Sequence, residues 1–237
     1  MNQSDNKQSV VVEGFHAVKH ALRFGGQVEE VVSVTGEPWR QLAAQLAPDV
    51  AEQISKLVRV DDMRFATLSP RKHPTGLVGL VKRPDYKSSV LLAADRPAPV
   101  VLLENPKRTG NVGAVIRVAA AVGAGGVLVT GDLDPWGREA VRGAAGLQWA
   151  VPVIGGVDVA AVDGPLVAVS DDGQDIREFE LPVDAVLAFG TERQGLSDKL
   201  RQRVTATVSL PMQPGVSSLN LATSVSAVLY WWWLNNR

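Results

Sequence analysis

The chain has 237 residues, of which 46% are hydrophobic and 21% are charged, and its formal net charge is −1. This length allows one large domain or two smaller ones, and the near-neutral charge does not indicate a general binder of polyanions. The sequence contains no cysteine, which excludes disulfides, thiolate nucleophiles and cysteine-ligated metal sites. Its first nine residues do not have the pattern of a secretory signal and no apolar run reaches the length of a membrane span. We therefore expect a cytoplasmic protein without a membrane partner.

The first third of the chain alternates helical and strand patterns. Helices are predicted in FHAVKHALRFGG (15–26) and EPWRQLAAQLAP (37–48), and strands in VEEVVSV (28–34) and TGLVGLVKRP (75–84). These patterns predict a small α/β domain over residues 1–84. Residues 85–98 combine polar residues, proline and alanine, which predicts a linker that contains a short element.

Continuous apolar runs are typical of the chain from residue 99 to residue 237. The predicted strands are VVLLE, GVLVT, LVAVS, AVLAF and TVSLP. Helical patterns lie between and after them, at 110–124, 138–148, 194–203 and 218–234. Strands that are apolar on both faces belong to parallel sheets covered by helices, so this part is predicted to be a doubly wound α/β domain.

Loops rich in glycine, proline, asparagine and serine follow four of these strands, at 104–113, 130–137, 190–197 and 211–220. Ligands of parallel sheets bind at the carboxyl ends of the strands. Because such loops offer backbone N–H and C=O groups rather than reactive side chains, they favour a polar small molecule held by the main chain.

Three common kinds of site are disfavoured. The segment GNVGAV (110–115) is only G-x-x-G, so a dinucleotide-dependent oxidoreductase is not favoured. His16 and His20 lie four residues apart without a third ligand, which favours ordinary histidines and no metal site. Ser217 and Ser218 have no histidine in their half of the chain, and we expect them to cap the helix that follows.

One arginine, Arg117, lies in the otherwise apolar segment 110–126. We expect a helix here that is apolar all round and therefore buried, so that the guanidinium needs a partner. A salt bridge in the chain or across a dimer interface is one alternative, and a phosphate or ribose oxygen of a ligand is the other. Glu192 is similarly open to a surface position or a functional role. The run Trp231–Trp233 is expected in the core or a dimer contact.

A basic stretch lies at the end of the first predicted domain. Residues 63–83 contain no acid, and their basic side chains are Arg64, Arg71, Lys72, Lys82 and Arg83. Such a stretch can bind phosphates, although a solvated face is an equally reasonable interpretation.

Three segments in this order resemble the signature motifs of the SpoU (TrmH-like) RNA ribose 2′-O-methyltransferases of the SPOUT superfamily. They are NVGAVIRVAAAVGA (111–124), LAFGTERQGLS (187–197) and LPMQPGVSSLNLATSVSAVL (210–229). AVRGAAG (140–146) is similar to the family's segment between the first two motifs, although Gly143 stands where a serine is common. VVEGFHAVKHAL resembles the L30e-like domain that many members carry.

The resemblance implies an α/β SPOUT domain with a parallel sheet and a C-terminal trefoil knot at 99–237, preceded by an L30e-like RNA substrate-binding domain at 1–84. It also implies a homodimer and S-adenosylmethionine (AdoMet) bound in the knot, with no metal. The motif positions tied to the catalytic centre are Asn111, Arg117, Glu192, Ser218 and Asn220. The positions that contact the cofactor are Gly190, Leu210, Leu219 and Asn220. The basic residues of 63–83 then become candidates for RNA binding.

The function expected from this resemblance is methyl transfer from AdoMet to a ribose 2′-hydroxyl, with S-adenosyl-L-homocysteine as the second product and 23S rRNA favoured as the substrate. Transfer RNA is the alternative substrate, and a non-catalytic RNA-binding or ribosome-assembly protein is the alternative class. Because a guanidinium is a poor proton acceptor, Arg117 is expected to clamp a phosphate rather than to act as the base, and the dimer allows it to act across the interface.

Overall fold

The structure is a computed structural model that describes residues 9–36, 39–91, 96–162, 164–191 and 195–236. The chain forms two compact units. The first contains the chain up to Asp85 together with Trp136–Ala150, and the second contains Tyr86–Pro135 and the chain from Val151 onward. Within the described ranges, no helix is long and apolar enough to cross a membrane.

Ten strands and nine α-helices were assigned within the described ranges. The strands are β1 (Ser9–Glu13), β2 (Val28–Ser33), β3 (Val58–Val60), β4 (Leu77–Lys82), β5 (Val100–Leu103), β6 (Gly126–Val129), β7 (Val153–Gly155), β8 (Leu166–Asp175), β9 (Val186–Phe189) and β10 (Ala206–Ser209). The helices are α1 (Phe15–Arg23), α2 (Trp39–Leu46), α3 (Pro48–Leu57), α4 (Asp62–Leu68), α5 (Ser88–Leu91), α6 (Thr109–Val122), α7 (Arg138–Gly143), α8 (Asp198–Arg201) and α9 (Leu221–Asn235).

The first unit is built on a four-stranded sheet in the order β1-β4-β2-β3. β4 pairs antiparallel with both β1 and β2, and β3 lies parallel to β2 at the edge. The sheet and helices enclose a core in which Phe15, Ile54 and Leu77 are fully buried. The predicted strands at 28–34 and 75–84 and helices at 15–26 and 37–48 are therefore present, whereas β1, β3, α3 and α4 were not predicted.

Residues 136–150 belong to the first unit by their contacts, although the sequence patterns place them in the second domain. α7 packs against β1. Gly146 adopts φ +74° against the backbone of Ala17, where a Cβ would overlap the α1 main chain. Trp149 Nε1 donates a hydrogen bond of 3.2 Å to the carbonyl of Lys82. These contacts fix the segment between β6 and β7 on the first sheet.

The second unit contains a six-stranded sheet in the order β10-β8-β9-β5-β6-β7, in which every neighbouring pair is parallel. All residues of β5, β6 and β9 are buried, as expected for strands covered on both faces. The prediction of an α/β unit with a parallel sheet is confirmed. Only β7 at the sheet edge was not predicted.

Two helices of this unit begin later than predicted because polar side chains cap them. Asn220 Oδ1 accepts from the Ala222 amide at 2.9 Å, so α9 begins at Leu221 rather than near residue 218. The expectation that Ser217 or Ser218 caps this helix was therefore wrong. Ser197 likewise caps α8, whose four residues occupy only part of the predicted 194–203.

β8 is irregular at the point where its pairing with β10 shifts. Ala168 pairs with Thr207, but the next β10 residue, Val208, pairs with Gln174. The intervening residues 169–173 are therefore released from the ladder, as in an extended β-bulge. This irregularity directs residues 169–171 into the cavity described next.

Candidate functional site

A cavity of about 400 Å³ lies in the second unit where β8, β9 and β10 lose their regular pairing. Its described lining is Val169, Ser170, Asp171, Phe189, Gly190, Thr191, Gly195, Leu210, Met212, Ser217, Ser218, Leu219, Leu221 and Ser224. Most of these residues lie in the strand-end loops that the sequence singled out. The volume is in the range of pockets for small molecules.

Three of the four residues predicted to contact a cofactor line this cavity, namely Gly190, Leu210 and Leu219. Ser218, a predicted catalytic residue, lines it too. The fourth cofactor candidate, Asn220, lies between two lining residues but is itself the N-cap of α9. The structure thus brings the second and third sequence motifs to one cavity.

The first motif is connected to the third through two asparagines. Asn220 Nδ2 donates to Asn111 Oδ1 at 3.3 Å, which joins residues 109 positions apart in the chain. Asn111 lies in the first turn of α6, and α6 packs against α9. This contact is long for an N–H···O hydrogen bond, and both side chains are accessible to solvent.

The loop after β9 begins at a position, Gly190, where only glycine fits. A Cβ on Gly190 would overlap the backbone of Gly195 and Leu196. Thr191 and Gly195 exchange two backbone hydrogen bonds of 3.1 Å each, which close the loop between them. The predicted catalytic residue Glu192 lies in this loop but outside the described residues.

A buried carboxylate supports the far end of this loop. Glu104 follows β5, and its Oε2 accepts from the Ser197 amide at 2.7 Å while its Oε1 accepts from Ser197 Oγ at 2.6 Å. The Glu104 side chain is buried while Ser197 is exposed, so the two charge-assisted hydrogen bonds are partly shielded from water. The sequence analysis missed Glu104. The sequence nevertheless indicated this contact. Glu104 directly follows the β5 strand and Ser197 follows β9, and β5 and β9 are neighbours in the parallel sheet.

Arg117 is exposed on α6 in this single chain, so the expectation of a buried guanidinium was wrong. The helix buries Val115, Ile116 and Ala119 on one side, and Arg117 projects from the opposite side near the accessible Ala121. Among the described residues, Arg117 has neither a hydrogen bond nor an ion pair. Its charge is therefore not compensated by any residue that the structure describes.

The C-terminal helix also leaves apolar surface uncovered. In the run predicted for the core or a dimer contact, Trp232 is buried while Trp231 and Trp233 are partly exposed. Tyr230 and Leu234 beside them are 44% and 67% exposed. The end of α9 therefore presents large apolar side chains to solvent.

The fold separates the basic residues of the stretch 63–83 into different parts of the first unit. Arg64 donates through Nε and Nη2 to Glu30, and this hydrogen bond raises the pKa of the guanidinium. Arg71 and Lys72 precede β4, whereas Lys82 and Arg83 lie at its other end. Since strand residues rise about 3.3 Å each, the strand between these two groups is itself about 17 Å long.

The two histidines of α1 do not form a metal site with other described residues. His20 Nδ1 lies 2.7 Å from the Ala145 carbonyl, and burial lowers the pKa of its imidazole. Within the described ranges, no cluster of three or more metal-ligating side chains is found.

Comparison with known proteins relates the chain to one family. Residues 98–230 match the profile described as the SpoU rRNA Methylase family. The chain is 30% identical over 206 residues to the 23S rRNA (uridine(2479)-2'-O)-methyltransferase of Streptomyces viridochromogenes. This alignment covers 76% of this chain and 69% of that protein. It is 28% identical over 241 residues to the 23S rRNA (adenosine(1067)-2'-O)-methyltransferase of Streptomyces azureus. That alignment covers 95% of this chain and 86% of that protein.

A solved structure has the same fold over nearly the whole chain. The SpoU methyltransferase AviRb from Streptomyces viridochromogenes, in complex with AdoMet, superposes with a TM-score of 0.77. The match covers 99% of this chain and 94% of that chain at 22% sequence identity. It extends the similarity beyond residues 98–230 to the first unit.

Proposed function

Because the chain belongs to the SpoU rRNA methylase family, we propose that it transfers a methyl group from AdoMet to a ribose 2′-hydroxyl of 23S rRNA. The observation that carries this proposal is the cavity lined by Gly190, Leu210 and Leu219. Residues from two separate motifs meet there, and a third motif is linked to it through Asn111 and Asn220. Two relatives are named as methyltransferases of this RNA, which favours rRNA over tRNA.

The cavity fits a cofactor of the size and charge of AdoMet. Its lining combines backbone groups of glycine-containing loops with the apolar side chains of Leu210 and Met212. Asp171 is the only formally charged residue among its described lining residues. A carboxylate there suits a ligand that carries an ammonium group, a sulfonium and ribose hydroxyls. When bound, AdoMet supplies an electrophilic methyl group.

The residues around the cavity then position the acceptor rather than form a covalent bond to it, so alignment of the 2′-hydroxyl dominates the rate. We assign Arg117 to the phosphate beside the target ribose, where a fork of N–H donors holds two oxygens and lowers the pKa of the hydroxyl. Ser218, Asn220 and Asn111 orient the ribose through their hydroxyl and amide groups. Glu192 is assigned to ordering its loop or holding Arg117.

The proposal also includes the knot, the two domains and the homodimer that the family resemblance implies. We propose a trefoil knot near the C-terminus, which is supported by the cavity that the loops after β9 and β10 share. The L30e-like substrate-binding domain is assigned to residues 1–84, joined by 85–98 to the SPOUT domain at 99–237, of which residues 136–150 belong to the first compact unit. A homodimer is supported by the exposed Tyr230 and Leu234 on α9 and by the exposed Arg117 on α6, which has no ion pair with another described residue. Since ribosomal RNA is the proposed substrate, we place the protein in the cytoplasm.

The test is transfer of radiolabelled methyl from AdoMet into unmodified 23S rRNA and into tRNA, followed by nuclease digestion to identify the methylated nucleoside. The wild type is compared with Arg117→Ala and with Arg59→Ala, an exposed arginine of β3 paired with Glu30. We expect a 2′-O-methyl nucleoside from 23S rRNA alone, lost in Arg117→Ala and retained in Arg59→Ala. Binding of AdoMet and RNA without transfer would instead favour a non-catalytic RNA-binding protein.

A further inference from the structure

We propose that Asp172 and Arg201 recognise the α-amino acid end of AdoMet, in a second cavity that adjoins the one described above. This assignment rests on the proposed function and adds which part of the cofactor each cavity accepts. Both residues lie outside the three sequence motifs, and neither lines the cavity that contains Leu210 and Leu219. The sequence analysis did not single out either residue.

The second cavity has a volume of about 290 Å³ and shares a wall with the first. The residues that line both cavities are Val169, Ser170, Gly190 and Gly195. The rest of its described lining is Asp172, Leu196, Arg201, Val204 and Thr207. Because two of the four shared residues are glycines, main chain rather than side chains forms that part of the wall. The two cavities are therefore neighbours, and one extended ligand can reach both.

The Arg201 guanidinium is held beside the second cavity by the loop after β9. Its Nε donates to the carbonyl of Leu196 at 2.9 Å. Gly195 adopts φ +65°, and a Cβ on it would lie only 3.0 Å from Arg201 Nη2, so the missing side chain lets the guanidinium approach the main chain. Arg201 has no ion pair with another described residue. Nη1 and Nη2 are thus available as a fork of donors for a carboxylate.

Asp172 supplies the opposite charge from the irregular part of β8. The neighbouring Gly173 lies so close to the main chain of Val208 that a Cβ there would overlap it, which fixes the backbone next to Asp172. A hydrogen bond from Ser170 lowers the pKa of the Asp172 carboxyl, and the charge of Arg201 lowers this pKa further. The carboxylate is therefore ionised at neutral pH.

An acid and a base that line one cavity without an ion pair between them suit a zwitterion. Within the described ranges, neither Asp172 nor Arg201 forms an ion pair with the other or with a third residue. The α-amino acid end of AdoMet carries an ammonium and a carboxylate on one carbon atom, which match the carboxylate and the guanidinium of this cavity. The first cavity then accepts the adenosine, and Asp171 is assigned to its ribose hydroxyls.

The test is calorimetric titration of the full chain with three ligands that differ at the amino acid end. They are AdoMet, decarboxylated AdoMet, which lacks only the carboxylate, and 5′-methylthioadenosine, which lacks the amino acid end altogether. Arg201→Gln and Asp172→Asn are compared with the wild type. Arg177→Gln and Glu178→Gln make the same changes of charge at exposed residues outside both cavity linings and serve as controls.

We expect Arg201→Gln to raise the Kd for AdoMet about three- to fivefold and not to raise the Kd for decarboxylated AdoMet. Asp172→Asn should raise the Kd for both ligands by a similar factor, since both carry the ammonium. Neither variant should alter the binding of 5′-methylthioadenosine, and the controls should bind all three ligands like the wild type. The factors are modest because both side chains are exposed, so water screens their charges.

Two results would overturn the assignment even when the wild type methylates rRNA. Equal weakening of all three ligands by Arg201→Gln would show that this residue only supports the loop through Leu196. Affinities at the level of the controls would show that Asp172 and Arg201 merely compensate each other. If the expected pattern is found but no preparation transfers methyl to RNA, the assignment stands and the proposed enzymatic function fails. A wild type that does not bind AdoMet would overturn both.

Discussion

The carboxylate of Glu104 accepts two hydrogen bonds from the single residue Ser197, one from its amide at 2.7 Å and one from its hydroxyl at 2.6 Å. This pair joins the loop after β5 to the end of the loop after β9 across two neighbouring strands. Gly190, Thr191 and Gly195 of the latter loop line the cavity, so the pair supports a loop that forms the wall of the proposed cofactor site.

Breaking this pair should loosen the loop and weaken cofactor binding. Hydrogen bonds to charged groups contribute about 1.5–3 kcal/mol, so we expect Glu104→Gln and Ser197→Ala each to raise the Kd for AdoMet about tenfold. Glu104→Gln weakens both hydrogen bonds, whereas Ser197→Ala removes only the one from the hydroxyl, so the double variant should lose little more than Glu104→Gln alone. Calorimetric titration of all four proteins measures this, with Glu178→Gln as an exposed control. Fully additive losses would show that the two residues act separately.

A methyl group at Gly190 should abolish cofactor binding while the same change in α6 does not. The added Cβ of Gly190→Ala overlaps the backbone of Gly195, which cannot yield without opening the loop. Gly110→Ala meets no atom within 4 Å and lies in a helix, where alanine is favoured by about 1 kcal/mol over glycine. Thermal unfolding with and without AdoMet compares them. Stabilisation of Gly190→Ala by AdoMet to the wild-type extent would contradict the proposed role of the loop.

Asp171 offers a direct test of the charge of the proposed ligand. If its carboxylate faces the ammonium or ribose hydroxyls of AdoMet, Asp171→Asn should raise the Kd about tenfold, as expected for loss of a charge-assisted hydrogen bond. Glu178→Gln removes the same charge from an exposed position outside the cavity lining and should have no effect. Equal affinities in the two variants would remove Asp171 from the site.

His20 should make the first unit less stable in acid. Burial lowers the pKa of the folded-state imidazole below its ordinary 6.5, so the unfolded chain binds the proton more tightly. The stabilising contribution is complete above pH 6.5 and is lost as the pH falls through the folded-state pKa. Urea unfolding of the wild type, His20→Gln and His16→Gln at neutral and mildly acidic pH measures it. We expect the acid-induced loss to be smaller only in His20→Gln.

Trp149 should contribute to the stability of the first unit more than to that of the second. Trp149→Phe keeps an aromatic ring but removes the part-buried hydrogen bond to the Lys82 carbonyl, at a cost of about 0.5–1.5 kcal/mol. Hydrogen exchange should therefore accelerate in α1 and β4 while β5 and β9 keep their protection. Trp39→Phe is a buried control in the same unit with a different packing site. Uniform acceleration in both units would contradict the grouping of 136–150 with the first.

Much of the fold could be predicted from local patterns. The apolar runs that became β5, β6 and β9 are buried on both faces, so their composition carries the information that the sheet is parallel and covered. Glycine, proline and asparagine marked the loops at the carboxyl ends of the strands. The motifs at Gly190, Leu210 and Leu219 identified one cavity, because residue type and order alone reveal a family resemblance.

The sequence by itself thus determined the α/β class, the strands and the candidate cavity residues, since these follow from periodicity, turn chemistry and motif identity within short windows. Only the tertiary structure decided which distant groups meet. Strand order and helix packing bring together the hydrogen-bonded pairs Glu104 and Ser197, Asn111 and Asn220, and Arg138 and Glu13. No short window of the sequence contains that information. It also decided that Arg117 is exposed, because burial depends on which side of α6 another element covers, and the composition of the helix does not specify that side.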